Sequence, residues 1–579
     1  RYMHINRQIK YLLILPCLLL SACASIPPGP QSAAVPGEDA KLPSQPAQAA
    51  DGLSEDLIYN TLTGEIAAQR GHSKFAFEHA LQAAKESRDE SAAERATGLG
   101  LQANMPDAAL TAATLWVDIS PQSLKAHQIT AVLYIRKGDF SQAIHHLQQV
   151  VEIANGQGLS GYLQAAAIAE KSAAPDQALL IMQQLVKDES QDGKAFYALA
   201  LTANHAKQHG LALQYVDRSL SLEPASNQSL VLKTQILINM DQKEQGVAFI
   251  KQAYEDSPGN AQLGKAYARL LLEMNQPEAA LEIYQTLYEE DPDDGDITFS
   301  LGIINLQMER YEDAKEYLQK LVDRRQKRNQ ASFYLGMIAE EEKRPKQALA
   351  WYSRVEGKNL VDAQVRIAKI LADQGNLNQA RETLQRLRIT QSPHEVKFYI
   401  IEAELLREAK DYETAHQVYS KALEIFEDNT DLLYARGLNA ADLKRIDLLE
   451  QDLRKILATQ PKHADALNAL GYTLADQTNR LQEAKGYIEQ ALEIKPKSPA
   501  ILDSMGWVEF RLGNLETALE FLNRAAELSP DAEIASHLGE VLWHLGQQQR
   551  AIEIWNAANE RDPDNRFIKP VMKRLGAEN

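Results

Sequence analysis

Apolar residues recur three and four positions apart along most of the chain, as in Leu502, Met505 and Val508, then Ala518, Leu519, Leu522, Ala525 and Ala526. That one-sided spacing is the pattern of amphipathic helices. No sustained period-two alternation is present, so no sheet is predicted. A longer period lies over the helical one. A small residue returns at Ala76, Ala109, Ala143, Ala178, Ala212, Gly246, Ala280, Ala314, Ala348, Ala380, Ala415, Leu449, Ala484, Ala518 and Ala551, with gaps of 32 to 35 residues. Thirteen of these fifteen anchors are alanine, and a fixed period of this length marks stacked structural repeats.

Glycine stands 12 or 13 residues before seven anchors, at Gly64, Gly302, Gly336, Gly437, Gly471, Gly506 and Gly539, with Gly98 slightly out of register. Ala131, Ala166, Ala200 and Ala268 hold the same neighbourhood elsewhere. Two small sites per repeat imply two closely apposed helices, and the packing gained must exceed the roughly 1 kcal/mol that glycine costs a helix relative to alanine. Proline follows eight anchors by twelve residues, at Pro121, Pro224, Pro258, Pro292, Pro461, Pro496, Pro530 and Pro563. Lacking an amide donor and pushing its predecessor out of helical dihedrals, proline ends the second helix and sets the turn into the next repeat.

This arrangement of glycine, alanine and proline resembles the tetratricopeptide repeat. The likeness is tightest in "LNALGYTLAD", "LDSMGWVEFRLGNLETALEFLNRAAELSP" and "HLGEVLWHLGQQQRAIEIWNAANERDP" and looser upstream, while the period runs from about residue 57 to 563. It implies an all-α superhelical solenoid of about fifteen helical hairpins, followed by a capping helix read from "FIKPVMKRL" and interrupted by Pro570. Leu449 puts a large side chain where the other repeats keep a small one, and overpacking costs about 1–3 kcal/mol unless the helices separate. The hairpin over residues 430–460 is therefore predicted to be wider than its neighbours, or to curve the stack.

The first residues carry a different signal. Arg7 and Lys10 precede an apolar run from Tyr11 to Leu20, followed by Leu20-Ser21-Ala22-Cys23. Ten apolar residues are too few to span a bilayer and suit a signal peptide. A small pair directly before a cysteine resembles the bacterial lipobox, which implies lipidation of Cys23. The alternative is an ordinary secretory signal with a chance cysteine. Cys17 lies inside the leader, so lipidation at Cys23 would leave no thiol for a disulfide or a metal site. Ala24 follows in place of the aspartate that resembles an inner-membrane retention signal, so the resemblance points to the outer membrane, facing the periplasm. Residues 24–52 hold six prolines with Gln, Ser, Ala and Gly, the composition of a disordered tether. The sequence thus divides into a signal peptide (1–22), lipidated cysteine and tether (23–52), divergent repeats (53–429), closely matching repeats (430–563), and capping helix with tail (564–579).

The formal net charge is −18, and −21 once Arg1, Arg7 and Lys10 leave with the leader. Such a surface repels nucleic acid and favours neutral or basic protein partners. The acidic run Glu289, Glu290, Asp291, Asp293, Asp294, Asp296 has its glycine, Gly295, misplaced for a calcium loop and reads as a helix-capping turn. The basic cluster Arg324, Arg325, Lys327, Arg328 reads as a solvated turn. Metalloprotease, nucleophile-elbow, phosphate-loop and CxxC motifs are absent. His145 and His146 diverge by about 100° on a helix and read as surface residues. Neither enzyme activity, cofactor nor metal is expected.

Binding is expected on the first helix of each pair, beside its glycine. In the last three repeats this selects Asn468, Tyr472 and Asp476, then Asp503, Trp507 and Arg511, then Ser536, Glu540, Trp543 and His544. Aromatic rings and arginine carry much of the energy at interfaces. Packing between repeats competes as the role of Trp507, and is preferred for Trp543. Asn468 and Asp503 suit recognition of an extended peptide backbone, as similar groove positions do in other tetratricopeptide proteins.

The stretches "LTGEIAAQRGHSKFAFEHALQAAKESRDESAAERA", "RIDLLEQDLRKILATQPKHADALNALGYTLAD" and "DSMGWVEFRLG" together resemble long tetratricopeptide lipoproteins of Gram-negative outer membranes. One branch of that family is an adaptor that brings a periplasmic carboxyl-terminal processing protease to peptidoglycan hydrolases. The resemblance implies a non-catalytic scaffold in regulated proteolysis and cell-wall turnover. The alternative is an assembly scaffold for exopolysaccharide export or a pilus or secretin system.

Overall fold

A computed structural model describes residues 54–186, 190–257, 259–391 and 395–577. The leader, Cys23, the tether and Pro258 lie outside the described residues. Every regular element among the described residues is helical, and the helices pair into fifteen hairpins followed by one short helix. Hairpin one is Glu55–Gln69 with Ser73–Ser87, and hairpin fifteen is Ala532–His544 with Gln548–Arg561. Two compact units part at Lys320 and Leu321. Each is a stack of such hairpins with its own run of apolar clusters.

The period seen in the sequence has a single structural meaning. All fifteen anchors, Leu449 included, occupy the fourth residue of the second helix of their hairpin. All fifteen are buried, and the fourteen that carry a side chain are fully so. The first turn of the second helix is where the two helices are joined and lie closest, so a methyl group is what fits. The prolines act as expected: second helices end at Ile119, Leu222, Glu290, Thr459, Ile494, Leu528 and Arg561, two residues before a proline in each case. The residue between has left helical dihedrals, as at Gln460 with φ −131° and ψ 74°.

A second punctuation is not apparent from residue types. In thirteen hairpins the residue five positions before the anchor turns the chain through the left-handed region. Glycine does this at five of them, but Asn104, Lys207, Asp241, Asn275, Glu309, Lys343, Lys410 and Lys444 do it with φ of 54–63°. That conformation costs a side-chain-bearing residue about 1–2 kcal/mol, which the closure of each hairpin offsets.

The glycines of the first helices let the second helix approach. A Cβ at Gly336, Gly471, Gly506 or Gly539 would sit 2.2–2.6 Å from Tyr352, Ile488, Leu522 or Trp555. Gly437, opposite Leu449's helix, is looser. A Cβ there would lie 3.5 Å from Leu453, whereas at Gly506 the same kind of side chain, Leu522, would be 2.5 Å away. Gly64, opposite the alanine anchor Ala76, is nearly as loose at 3.4 Å, so this gap does not set the hairpin Thr430–Asp442 with Ile446–Thr459 apart as the wider one expected from a bulky anchor.

Three expectations are corrected. Gly98 has nothing within 4 Å of where a Cβ would be, and it is Gly100 that meets Ala109 at 2.9 Å. His146 is buried: its Nδ1 lies 3.0 Å from His127 Nδ1, and its ring stacks on Tyr134 at 5.5 Å, while His145 is exposed. It falls on the core row Ala143, His146, Leu147, Val150, so the divergence of neighbouring positions hides one imidazole and exposes the other. Pro570 does not interrupt the last helix. That helix runs Ile568–Leu575, with Pro570 in its first turn, where no amide donor is needed. It covers the end of the stack by burying Ile568 and Val571 against Leu538, Val541, Leu542 and Trp555. The acidic run does cap a helix: Asp294 accepts from Asp296 N at 2.7 Å and Ile297 N at 3.0 Å.

Candidate functional site: a polar seam on the last three first helices

The first helices of hairpins thirteen to fifteen, Ala464–Gln477, Pro499–Arg511 and Ala532–His544, lie side by side. Repeat stacking brings residues one period apart into register, so a polar side chain on one helix meets its counterpart about 34 residues later. Asp503 is 4% exposed, and its Oδ1 lies 2.9 Å from His537 Nδ1. Trp507 stacks on the His537 ring at 4.3 Å and 21°, and lies 5.2 Å from Phe510. Tyr472 donates its hydroxyl to Glu533 Oε1 at 3.0 Å, across 61 residues and two hairpins.

Electrostatics follow from this packing. Burial alone would push the His537 imidazolium toward neutrality. The Asp503 charge and hydrogen bond, with Glu533 and Asp476 beyond, outweigh it and raise the pKa to about 8. Burial first, then the carboxylates of Glu533, Asp476 and Asp503, hold the Tyr472 phenol well above its ordinary range. The seam is thus an imidazolium held among carboxylates, with a neutral phenol bridging to one of them.

The remaining sequence-predicted residues fall into separate roles. Arg511 donates to the carbonyls of Ala475 at 2.6 Å, Asp476 at 2.9 Å and Thr478 at 3.3 Å, so it caps the C-terminal end of the neighbouring first helix. Glu540 receives both Nη1 and Nη2 of Arg574, at 2.8 and 2.7 Å, and ties the last short helix to hairpin fifteen. Ser536 donates to Phe567 O at 3.4 Å, which adds to that tie. Trp543 is half-buried, 5.9 Å from Trp555 of its own hairpin. Asp476 and His544 are exposed, the latter beside Phe510 at 5.3 Å.

Asn468 and Trp507, 6% and 8% exposed, each keep one polar atom without a hydrogen-bond partner: Asn468 Oδ1 and Trp507 Nε1. Buried polar atoms of this kind are uncommon, and each leaves an acceptor or a donor unsatisfied in the seam. His537 and Glu533 are not among the sequence-predicted residues. The repeat period itself points to the first, because His537 follows Asp503 by 34 residues.

A second buried charge shows the same logic elsewhere in this unit. Glu402 accepts from Arg381 Nε at 2.9 Å, Gln385 Nε2 at 3.1 Å and Arg388 Nη1 at 2.5 Å, all on the preceding helix Leu377–Thr390. Among the described residues no group of three or more His, Cys, Asp or Glu is placed to hold a metal ion, and no helix is long and apolar enough to cross a membrane.

Helical hairpins stacked in this way, with polar and aromatic side chains on the first helices, define a repeat scaffold for protein–protein interaction, a class whose members are typically non-catalytic. The tetratricopeptide-repeat profiles match residues 237–297 and 271–335, then 365–430, 434–499 and 504–566. A TPR repeat-containing protein of Pseudomonas aeruginosa is 38% identical over 541 residues, covering 92% of this chain and 90% of the relative. The chain belongs to this tetratricopeptide-repeat protein family. Among solved structures it is similar to a chain of the APC/C hetero-tetramer Cut9–Hcn1 (15% identity, 83% of this chain and 95% of that one, TM-score 0.31). It is also similar to yeast Tom70 (13% identity, 90% and 95%, TM-score 0.35).

Proposed function

We propose that this protein is a non-catalytic adaptor of the bacterial periplasm, anchored in the outer membrane through a lipid on Cys23. It brings a carboxyl-terminal processing protease to peptidoglycan hydrolases and so promotes their proteolysis. The fold supports this reading by offering, within each of its two units, neighbouring first helices on which a partner could lie. The adaptor reading rests on the family resemblance of the quoted stretches with the lipobox-like Ser21-Ala22-Cys23, and the near full-length likeness to a TPR repeat-containing protein supports its scaffold part. An adaptor accelerates by proximity, since tethering raises effective concentration into the millimolar range for short flexible links. The tether of residues 24–52 would set the reach, about 30 Å on average if flexible and roughly 90 Å if extended as polyproline.

The C-terminal seam is where one partner would dock. Asp476 and His544 present exposed polar groups beside Tyr472, Trp507 and Phe510. Cross-linked pull-down from intact cells tests this, comparing the lipidated chain with Asp476→Asn plus His544→Ala, surface changes that leave the Tyr472–Glu533 and Asp503–His537 hydrogen bonds in place. Recovery of a processing protease with wall hydrolases, reduced by the double change, is the expected result. Recovery only of export or pilus components overturns the adaptor reading.

A further inference from the structure

The two ends of the described chain are finished differently. At the C-terminal end the helix Ile568–Leu575 covers hairpin fifteen. At the N-terminal end the helix Glu55–Gln69 buries Asn60, Gly64 and Ala67 against its own hairpin. Its opposite side carries Ile58 (44% exposed), Tyr59 (60%), Leu62 (58%) and Ile66 (49%), with Phe75 (48%) from the second helix beside them. On a helical wheel Ile58, Leu62, Ile66 and Tyr59 fall within an arc of about 100°. In hairpin two the corresponding helix Glu90–Gln102 is packed against Ser73–Ser87 of hairpin one. Among the described residues nothing stands in that place for Glu55–Gln69.

We propose that this face pairs with the same face of a second copy of the chain, the two Glu55–Gln69 helices crossing antiparallel about a two-fold axis at Leu62. Two features of the face point to itself as its partner. First, its apolar row is symmetric about Leu62, with Ile58 four residues before and Ile66 four residues after. An antiparallel copy therefore sets Ile58 against the partner's isoleucine and Leu62 against its own counterpart, as an isologous contact requires. Second, the charges at the ends are complementary under the same operation. The exposed Glu55 and Asp56 open the helix and the exposed Arg70 closes it, so each acidic end meets a basic end.

The size of the patch sets the strength. Five large side chains about half exposed offer on the order of 450 Å² per copy and about 900 Å² per pair, near the lower limit for a specific interface. The dimer is accordingly weak, with a dissociation constant on the order of 1–10 µM, and forms where copies are concentrated. The contact uses no residue of the seam on hairpins thirteen to fifteen.

Leu62→Cys in the full chain with Cys17→Ser and Cys23→Ser, purified in detergent, places a single thiol on the two-fold axis. Mild oxidation is expected to give a disulfide-linked dimer about tenfold more readily than Leu180→Cys, another exposed leucine, at a protein concentration near the micromolar dissociation constant. Glu55→Arg plus Asp56→Arg should reduce that cross-linking about tenfold, and adding Arg70→Glu should restore it, a rescue that misfolding would not give. Equal cross-linking of the two thiols overturns the proposal. So does a monomer by sedimentation at about 100 µM, ten or more times the dissociation constant. Protection of the Leu62→Cys thiol from alkylation in that monomer would show that residues 1–53 of the same chain cover the face instead.

Discussion

Two histidines, both packed away from water, are driven in opposite directions. His146, in hairpin three, has its pKa lowered to about 4 by burial and by the neighbouring imidazoles of His127 and His145. His537, in hairpin fifteen, is buried as deeply, yet its pKa is raised to about 8 because carboxylates surround it. Burial alone does not set a protonation state, and the sign of the neighbours decides. One region is a neutral polar core that avoids a proton, and the other is an ionic core that requires one.

The largest effect expected from testing this contrast is that of Asp503→Ala. It removes the carboxylate facing His537 and leaves an uncompensated buried group, which should destabilise hairpins fourteen and fifteen by about 3–4 kcal/mol. Hydrogen exchange over 499–561 reads this, and His537 should then titrate below 6.5. A His537 still titrating near 8 would show that Glu533 and Asp476 hold the proton without Asp503.

Acid should act on the other region. His146 has a folded pKa below its unfolded value, so the unfolded chain binds more protons between about pH 4 and 6.5. Stability there rises with pH and falls by up to about 3 kcal/mol as pH drops to 4. His146→Phe should flatten that dependence in hydrogen exchange over 124–156, and an unchanged acid sensitivity would mean His127 is the group that titrates.

Alkali should act on the seam with the opposite sign. His537 has a raised folded pKa, so its contribution is full below pH 6.5 and is lost as pH rises through 8, on the order of 2 kcal/mol. Exchange rates of hairpin fifteen that do not change between pH 6.5 and 9, after correction for intrinsic rates, would contradict this. Tyr472→Phe should give the smallest effect, about 1.5 kcal/mol from one hydrogen bond to a charged acceptor. A larger loss would mean that Glu533 finds no replacement donor.

Much of this fold is legible in the residues. An alanine every 34 or so positions, a glycine upstream and a proline downstream specify where two helices touch and where the second stops. One oversized anchor, Leu449, is accommodated fully buried at the position the alanines hold elsewhere. Gly98 misleads because Thr97 takes the position twelve before Ala109, and the close approach passes to Gly100. The left-handed turns are hidden because eight of the thirteen use a residue other than glycine. At the seam, the period and the first-helix face pick out Asp503, Trp507 and Tyr472, but not what they touch. A ring on a helix face has the same sequence whether it faces a ligand or a histidine one repeat away. Only stacking three hairpins shows that Arg511 is spent on a helix end and Glu540 on Arg574.

The hydrogen bond from Tyr472 to Glu533 skips a whole hairpin. Springs joined in series share a load by yielding where they are softest, and a hairpin held only by its two neighbours is no stiffer than its weaker joint. A strut across hairpins thirteen to fifteen stiffens that segment against bending at the two joints inside it. Hairpins thirteen to fifteen then move as one link rather than three.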